Sequence, residues 1–115
     1  MARLIVSVDD IVIKEYTLTK ERTTIGRKAA ADVRIEDTHL SGEHAQVLLV
    51  GHDYVYEDLD STNGSIINGK PIKRALLQSN DVMQFGDYKV NFVSDTDYTS
   101  ENFLFSRMVR NTTTK

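Results

Sequence analysis

Hydrophobic and polar positions alternate over much of this chain. Leu4, Val6 and Val8 alternate with Arg3, Ile5 and Ser7, the two-residue period of a strand with one buried face. Asp9-Asp10 marks a turn, and Ile11 to Leu18 returns as a second β-rich run. Shorter candidates follow at residues 23–25 and 33–35, then a longer one at 44–50. Gly51-His52-Asp53 reads as a hairpin connection into a partner strand over 53–59. Ile66-Ile67 leads into Asn68-Gly69, a strong two-residue hairpin signal because both positions tolerate positive φ. Residues 82–85, the turn Gly86-Asp87 and residues 88–93 form a final hairpin. The pattern predicts ten or eleven short strands and no helix before residue 94. Turns at this spacing predict an all-β sandwich.

Composition narrows the function classes. At 115 residues there is room for one core and one domain, expected over residues 1–93 with a tail or linker over 94–115. Hydrophobic residues make up 40% and charged residues 27%, as in a soluble globular domain. No apolar run approaches the roughly 20 residues that span a bilayer. The short apolar start lacks a signal-peptide cleavage pattern, so a cytoplasmic location is expected. Met1 reads as a native start, which would put any further domain after Lys115. Cysteine is absent, which removes disulfides and thiol chemistry. A formal charge of −3 gives no reason to expect nucleic acid or an anionic membrane as partner.

Three polar loops are more specific than the strands. Gly26-Arg27 closes a short strand; the glycine allows a sharp turn, and the guanidinium fork suits phosphate or carboxylate. Taken alone, Gly-Arg is usually a turn with a solvated arginine. Ser41 and His44 stand three residues apart. The hydroxyl can donate to a phosphate oxygen, and the imidazole can pin a loop by bonding backbone groups. A hydrolase with Ser41 as nucleophile and His44 as base is the weaker alternative, since the glycine-flanked elbow of α/β hydrolases is missing. His39 with His44 lacks an obvious third metal ligand. Asp58-x-Asp60-x-Thr62 starts like a calcium loop, but Asn63 replaces the glycine at its sixth position and Gly69 the glutamate at its twelfth. No cofactor and no metal are expected.

Together these segments resemble a family. Gly26-Arg27, Ser41-x-x-His44-Ala45, Ser61-Thr62-Asn63-Gly64 and Asn68-Gly69 closely resemble the forkhead-associated domain. Asp37 ahead of Leu40-Ser41, Leu77 with Asn80-Asp81, and Phe85-Gly86 add to the likeness. The resemblance implies an eleven-stranded β-sandwich with recognition loops at one end. It also implies a non-catalytic module of signal transduction that binds phosphothreonine-containing proteins or peptides. Under it, Arg27 pairs with the phosphate and Ser41 donates its hydroxyl to a phosphate oxygen. Thr62 forms the surface beside the phosphothreonine, and Asn63 bonds the peptide backbone. Gly26, His44, Gly64 and Asn68 shape the loops.

One departure bears on affinity. The position after Ser41, often arginine or another polar residue in the family, is Gly42, and the acidic Glu43 follows. The site then has one cation fewer, with Lys28 and Arg34 as candidate replacements. Ser65 stands where the family often has threonine. These features keep a second reading in play: a family-like scaffold or oligomerisation domain with weak or lost phosphate binding. In the tail, Phe103, Leu104, Phe105, Met108 and Val109 follow Ser100, a candidate cap for a short helix. That segment is expected to pack on the sandwich or form a linker, with self-association as the functional alternative. Thr96, Thr99 and Thr112 to Thr114, once phosphorylated, would put a ligand on the same chain as its reader.

Overall fold

The computed structural model describes residues 2–94. Eleven strands run in order: β1 (Ala2–Val8), β2 (Ile11–Leu18), β3 (Arg22–Gly26), β4 (Val33–Arg34), β5 (Ala45–Val50), β6 (Asp53–Asp58), β7 (Ile66–Ile67), β8 (Lys70–Pro71), β9 (Arg74–Leu76), β10 (Val82–Phe85) and β11 (Tyr88–Ser94). They form a six-stranded sheet, β2-β1-β11-β10-β7-β8, and a five-stranded sheet, β4-β3-β5-β6-β9. Among the described strands, only β3 and β4 pair in parallel. The sandwich expected from the turn spacing is the fold observed.

The core follows the strand period. Leu4 and Val6 of β1, Met83 and Phe85 of β10, and Val90 and Phe92 of β11 are buried from one sheet. Ile25, Val33, Ala45, Val47 and Tyr56 are buried from the other. Each large apolar side chain removed from water contributes about 1.5–3 kcal/mol, so this layer holds the two sheets together. The turns use residues that accept left-handed backbone: Asp9 and Asp10 have φ of 53° and 65°, and Asn68 and Gly69 have 52° and 82°. Such pairs match the right-handed twist of a hairpin.

Three differences from the expected elements have physical causes. β9 escaped the periodicity because three residues are too few to show a repeat; β8, two exposed residues, is placed by the Asn68-Gly69 turn and not by alternation. Pro71 is tolerated because β8 is an edge strand. β2 forms as expected, yet residues 11–15 are all exposed, because β2 is the outer strand of its sheet. Residues 44 and 59, expected inside strands, sit just beyond them. His44 N–H donates to Ile25 O at 3.0 Å, and Leu59 N–H donates to His44 O at 2.9 Å.

The register places the polar loops. Ile25 pairs with Ala45, and Ala45 with Asp58. The end of β3, the start of β5 and the end of β6 therefore lie side by side. The connections that leave them are residues 27–32, 35–44 and 59–65. Ser94, expected to open the tail, ends β11 and pairs with Ala2; residues from 95 onward, including the predicted helix and the tail threonines, lie outside the described residues.

Candidate functional site

Gly26 decides how closely the first two loops approach. A Cβ at this position would lie 2.1 Å from the Gly42 carbonyl oxygen, far inside contact distance, so only glycine fits. Backbone bonds close the approach. Arg27 N–H donates to Ser41 O at 3.0 Å, Lys28 N–H to Gly42 O at 3.3 Å, and Ile35 N–H to Gly26 O at 3.0 Å. Arg27 Nε donates to Leu40 O at 3.1 Å. That bond fixes the inner edge of an exposed guanidinium, which carries four further N–H donors.

His44 joins the second loop to the third. It is buried at 2% exposure. Its Nδ1 accepts from the Ser41 backbone N–H at 3.1 Å, and its Nε2 lies 2.8 Å from Gly64 O. A carbonyl cannot donate, so Nε2 carries the proton and the ring is the neutral tautomer. Phe85 packs edge-on at 5.2 Å between centroids. With both nitrogens engaged by backbone, His44 is not placed as a base for the Ser41 hydroxyl. Ser41 Oγ instead accepts from Thr62 N–H at 2.9 Å, which leaves its own proton available to a ligand. Asn63 Nδ2 donates to His39 O at 2.8 Å.

The third loop hangs from Asp58. Its Oδ1 accepts from Ser61 Oγ at 2.5 Å and Ser65 Oγ at 2.6 Å, and its Oδ2 accepts from Ser61 N–H at 3.0 Å. Ser65 in turn accepts from the Tyr56 hydroxyl at 2.7 Å. Burial pushes Asp58 upward, but the bonds from Ser61 and Ser65 outweigh it and hold the carboxyl below its usual range. Burial raises the Tyr56 hydroxyl, which stays protonated and donates. Gly64 completes the turn at φ 81°.

Arg27, Ser41, Gly42, Thr62 and Asn63 line one cleft of about 290 Å³, with Thr38, His39 and Leu40. The arrangement sets a cation, a hydroxyl donor and an amide around one concavity. The auxiliary candidates lie elsewhere or are engaged. Lys28 Nζ pairs with Glu43 at 2.5 Å, beside a neighbouring cleft that Gly42 also lines. Arg34 donates from Nε to Arg27 O at 3.2 Å and pairs with Glu36 at 2.7 Å; it faces a cleft shared with Ile13 and Tyr16. Asn68 bonds Asp81 and Val82, so it shapes the β7–β8 turn and lines neither cleft.

Three contributors, Asp58, Thr38 and His39, are not legible as such in the sequence. Asp58 was weighed only as a calcium ligand, and its role as loop anchor is visible only once Ser61 and Ser65 fold back on it. Thr38 and His39 line the cleft because Asp37 tightens the turn. Asp37 Oδ1 accepts from His39 N–H at 2.8 Å and lies 2.7 Å from His39 Nδ1. These two contacts hold the Asp37 carboxyl below its usual range. An aspartate bonding the backbone two residues on is the available signal. Among the described residues, no three His, Cys, Asp or Glu side chains group as a metal site.

Comparison with known proteins gives a consistent result. A family model described as FHA domain matches residues 23–86. The chain is 29% identical over 79 residues to the glycogen accumulation regulator GarA of Mycolicibacterium smegmatis, covering 69% of this chain and 50% of that protein. It is 29% identical over 79 residues to the oxoglutarate dehydrogenase inhibitor of Corynebacterium jeikeium, covering 69% and 55%. The chain thus spans about half the length of these relatives. Among solved structures, the FhaA FHA domain complexed with the intracellular domain of Rv3910 superposes with a TM-score of 0.73 at 29% identity, covering 80% of this chain and 99% of that one. Mycobacterium tuberculosis EmbR in complex with a low affinity phosphopeptide superposes with a TM-score of 0.73 at 27% identity, covering 80% and 24%.

Proposed function

The chain belongs to the FHA-domain family, and from that premise we propose that it is a non-catalytic module that binds phosphothreonine-containing proteins in signalling. One observation carries the reading: Arg27, Ser41, Thr62 and Asn63 arrive from three loops to line a single cleft. A phosphate at neutral pH has nearly two negative charges and three acceptor oxygens. The guanidinium of Arg27 answers the charge, and the Ser41 hydroxyl donates while Thr62 N–H holds its oxygen. Asn63, fixed through Nδ2 to His39 O, keeps its carbonyl oxygen and second amide proton for a peptide backbone. Thr62 walls the side where the phosphothreonine methyl sits. A cytoplasmic location is part of the proposal; no helix among the described residues is long and apolar enough to cross a membrane.

A specific feature favours the second reading, a scaffold with weakened phosphate binding. Arg27 is the one arginine or lysine among the residues lining the cleft, because Lys28 and Arg34 pair with Glu43 and Glu36. Calorimetric titration with phosphothreonine, phosphoserine and unphosphorylated peptides separates the two. The expected result is binding of the phosphothreonine peptide only, or far more tightly than the others. Arg27→Ala weakens it at least about tenfold, since a charge-assisted hydrogen bond contributes about 1.5–3 kcal/mol. Equal affinity for phosphorylated and unphosphorylated peptides would establish the scaffold reading.

A further inference from the structure

The outer face of the five-stranded sheet departs from the polar pattern expected of a face turned to water. Val47, Tyr56 and Ala75 pack into the core, so the alternate residues of β5, β6 and β9 point outward. The register sets three of these side by side: Leu48 pairs with Val55, and Val55 with Leu76. Val50 follows Leu48 on the same face. Val50 and Leu76 are 54% and 55% exposed, and Leu48 and Val55 are half-buried. Four aliphatic side chains thus form one patch across three strands, where single exposed apolar residues would be ordinary. A polar row bounds it: Gln46 donates to Glu57 at 2.7 Å, and Arg74 pairs with Glu57 at 3.6 Å. Asp53 lies opposite Val50, and its carboxylate has no partner among the described residues. The patch reaches the end of the sheet away from the loops that carry Arg27, Ser41 and Thr62, since those leave from Gly26, Ala45 and Asp58.

We propose that this patch is covered by the segment Phe103 to Val109 of the same chain. The place where the chain leaves the sandwich identifies the occupant. β11 ends at Ser94, whose N–H donates to Ser79 Oγ at 3.1 Å, and Asn80 N–H donates to Phe92 O at 2.7 Å. Ser79 follows closely on Leu76 at the end of β9, and Leu77 N–H donates to Tyr54 O at 2.8 Å. The chain therefore departs beside the edge strand that carries Leu76. An extended chain covers about 3.3–3.6 Å per residue, so the stretch from Ser94 to Phe103 reaches up to about 30 Å, against about 10 Å across three neighbouring strands. The segment also has the matching chemistry. Phe103, Leu104, Phe105, Met108 and Val109 are apolar, and Arg107 and Arg110 bring positive charge to a rim that holds the unpaired Asp53. Tethering raises the effective concentration to about millimolar, so burial of a few apolar side chains is enough to keep the face covered.

The chain has no cysteine, so a single introduced one takes a nitroxide spin label at a chosen place. In NMR of the full chain, a label at Arg74→Cys, on the patch face beside Leu76, is expected to erase the amide signals of residues 103–109. Lys89→Cys is the control. It stands as many residues from Ser94 as Arg74 does from Ser79, but on the outer face of the other sheet, and a label there should leave those signals visible. The loss should be the same after dilution. It should disappear when Val50→Ser and Leu76→Ser are combined, and in Phe105→Ser, while Leu76→Ile retains it; the dispersed signals of the sandwich report the fold of each variant. Equal losses from both labels, no loss from Arg74→Cys, or a loss that survives Phe105→Ser overturns the proposal. Signal loss in a mixture of isotope-enriched chain without spin label and spin-labelled chain without isotope would assign the face to a second copy, and would overturn it as well.

Discussion

The loop between β6 and β7 and the hairpin between β1 and β2 make opposite use of similar backbone. Both turn through aspartates in left-handed conformation: Asp60 at φ 53°, Asp9 and Asp10 at 53° and 65°. In the loop, side chains decide the shape. Asp58 collects Ser61 and Ser65, Ser41 takes the Thr62 N–H, Asn63 reaches His39, and His44 takes Gly64. The hairpin is held by the backbone ladder of β1 and β2, and its side chains Ile11, Val12 and Ile13 stand 65%, 56% and 52% exposed. A loop wired by side chains to three neighbours is preorganised for a ligand, and single substitutions there should be costly. A hairpin held by backbone should tolerate them.

The largest effect is expected at Gly26→Ala. A methyl carbon 2.1 Å from the Gly42 carbonyl forces the first two loops apart. Overpacking of this kind costs about 3 kcal/mol, and binding should be lost with it because Arg27 and Ser41 separate. Urea unfolding and peptide titration measure the two effects. A near-neutral variant would show that the loops are not locked together.

Next comes Asp58→Asn. The amide replaces an acceptor oxygen by a donor, against groups that themselves donate. Losing hydrogen bonds to a buried charge costs about 2 kcal/mol. The pH dependence has a definite sign. The folded-state pKa of Asp58 is lowered, so its contribution is fully present above the unfolded value of about 3.9. It is lost as pH falls through the lower folded value. Wild-type stability should therefore decline below about pH 4, and the Asn variant should decline less over that window. Other depressed carboxyls, Asp32, Asp37 and Glu43, act in both proteins and cancel in the difference.

These two residues also mark how far the sequence could be read. The alternation of Leu4 and Val6, and the turn chemistry of Asn68-Gly69, are local signals, and they located β1 and β7–β8. The resemblance named Gly26, but the reason only glycine fits is a carbonyl sixteen residues away in the chain, at Gly42. The calcium-loop comparison fails at Asn63 and Gly69 and leaves Asp58 without a role, because its serine partners become visible only when the loop closes. Lys28 and Arg34 have the right charge, yet Glu43 and Glu36 hold them. β8 and β9 are too short to show a period. Local pattern thus carried the strands and ordered motifs carried the loops, while partner choice among charges required three dimensions.

A smaller effect is expected at Gly42→Arg, and it sharpens the comparison by adding charge to the wired region. Gly42 does not need left-handed backbone, and a Cβ there would lie 3.8 Å from Lys28 Cβ and Cδ, ordinary contact. The backbone strain that glycine often conceals is absent. A guanidinium at the cleft margin should strengthen phosphopeptide binding by up to about fivefold, the upper range for an exposed ion pair. Screening over about 8 Å at physiological ionic strength should shrink the gain as salt is added. A gain that ignores salt would mean the new side chain acts by contact and not by charge.

The smallest effect is expected at Val12→Thr, on the hairpin. Val12 is more than half exposed on an edge strand, so the exchange removes little apolar surface from the folded state. Threonine keeps the β-branch that suits a pleated strand, and the ladder through Ser7 and Val12 uses backbone atoms only. The unfolding free energy should change by less than about 0.5 kcal/mol, as for surface substitutions generally, and affinity for a phosphothreonine peptide should stay unchanged. The measurement is a urea titration at two protein concentrations that differ about tenfold. Three consecutive exposed aliphatics on an eight-residue outer strand are also the surface on which another chain would pair. A loss above about 1 kcal/mol, or a midpoint that rises with concentration in the wild type and not in the variant, would show that the strand is covered in solution. The contrast between wired loop and bare hairpin would then fail on the hairpin side.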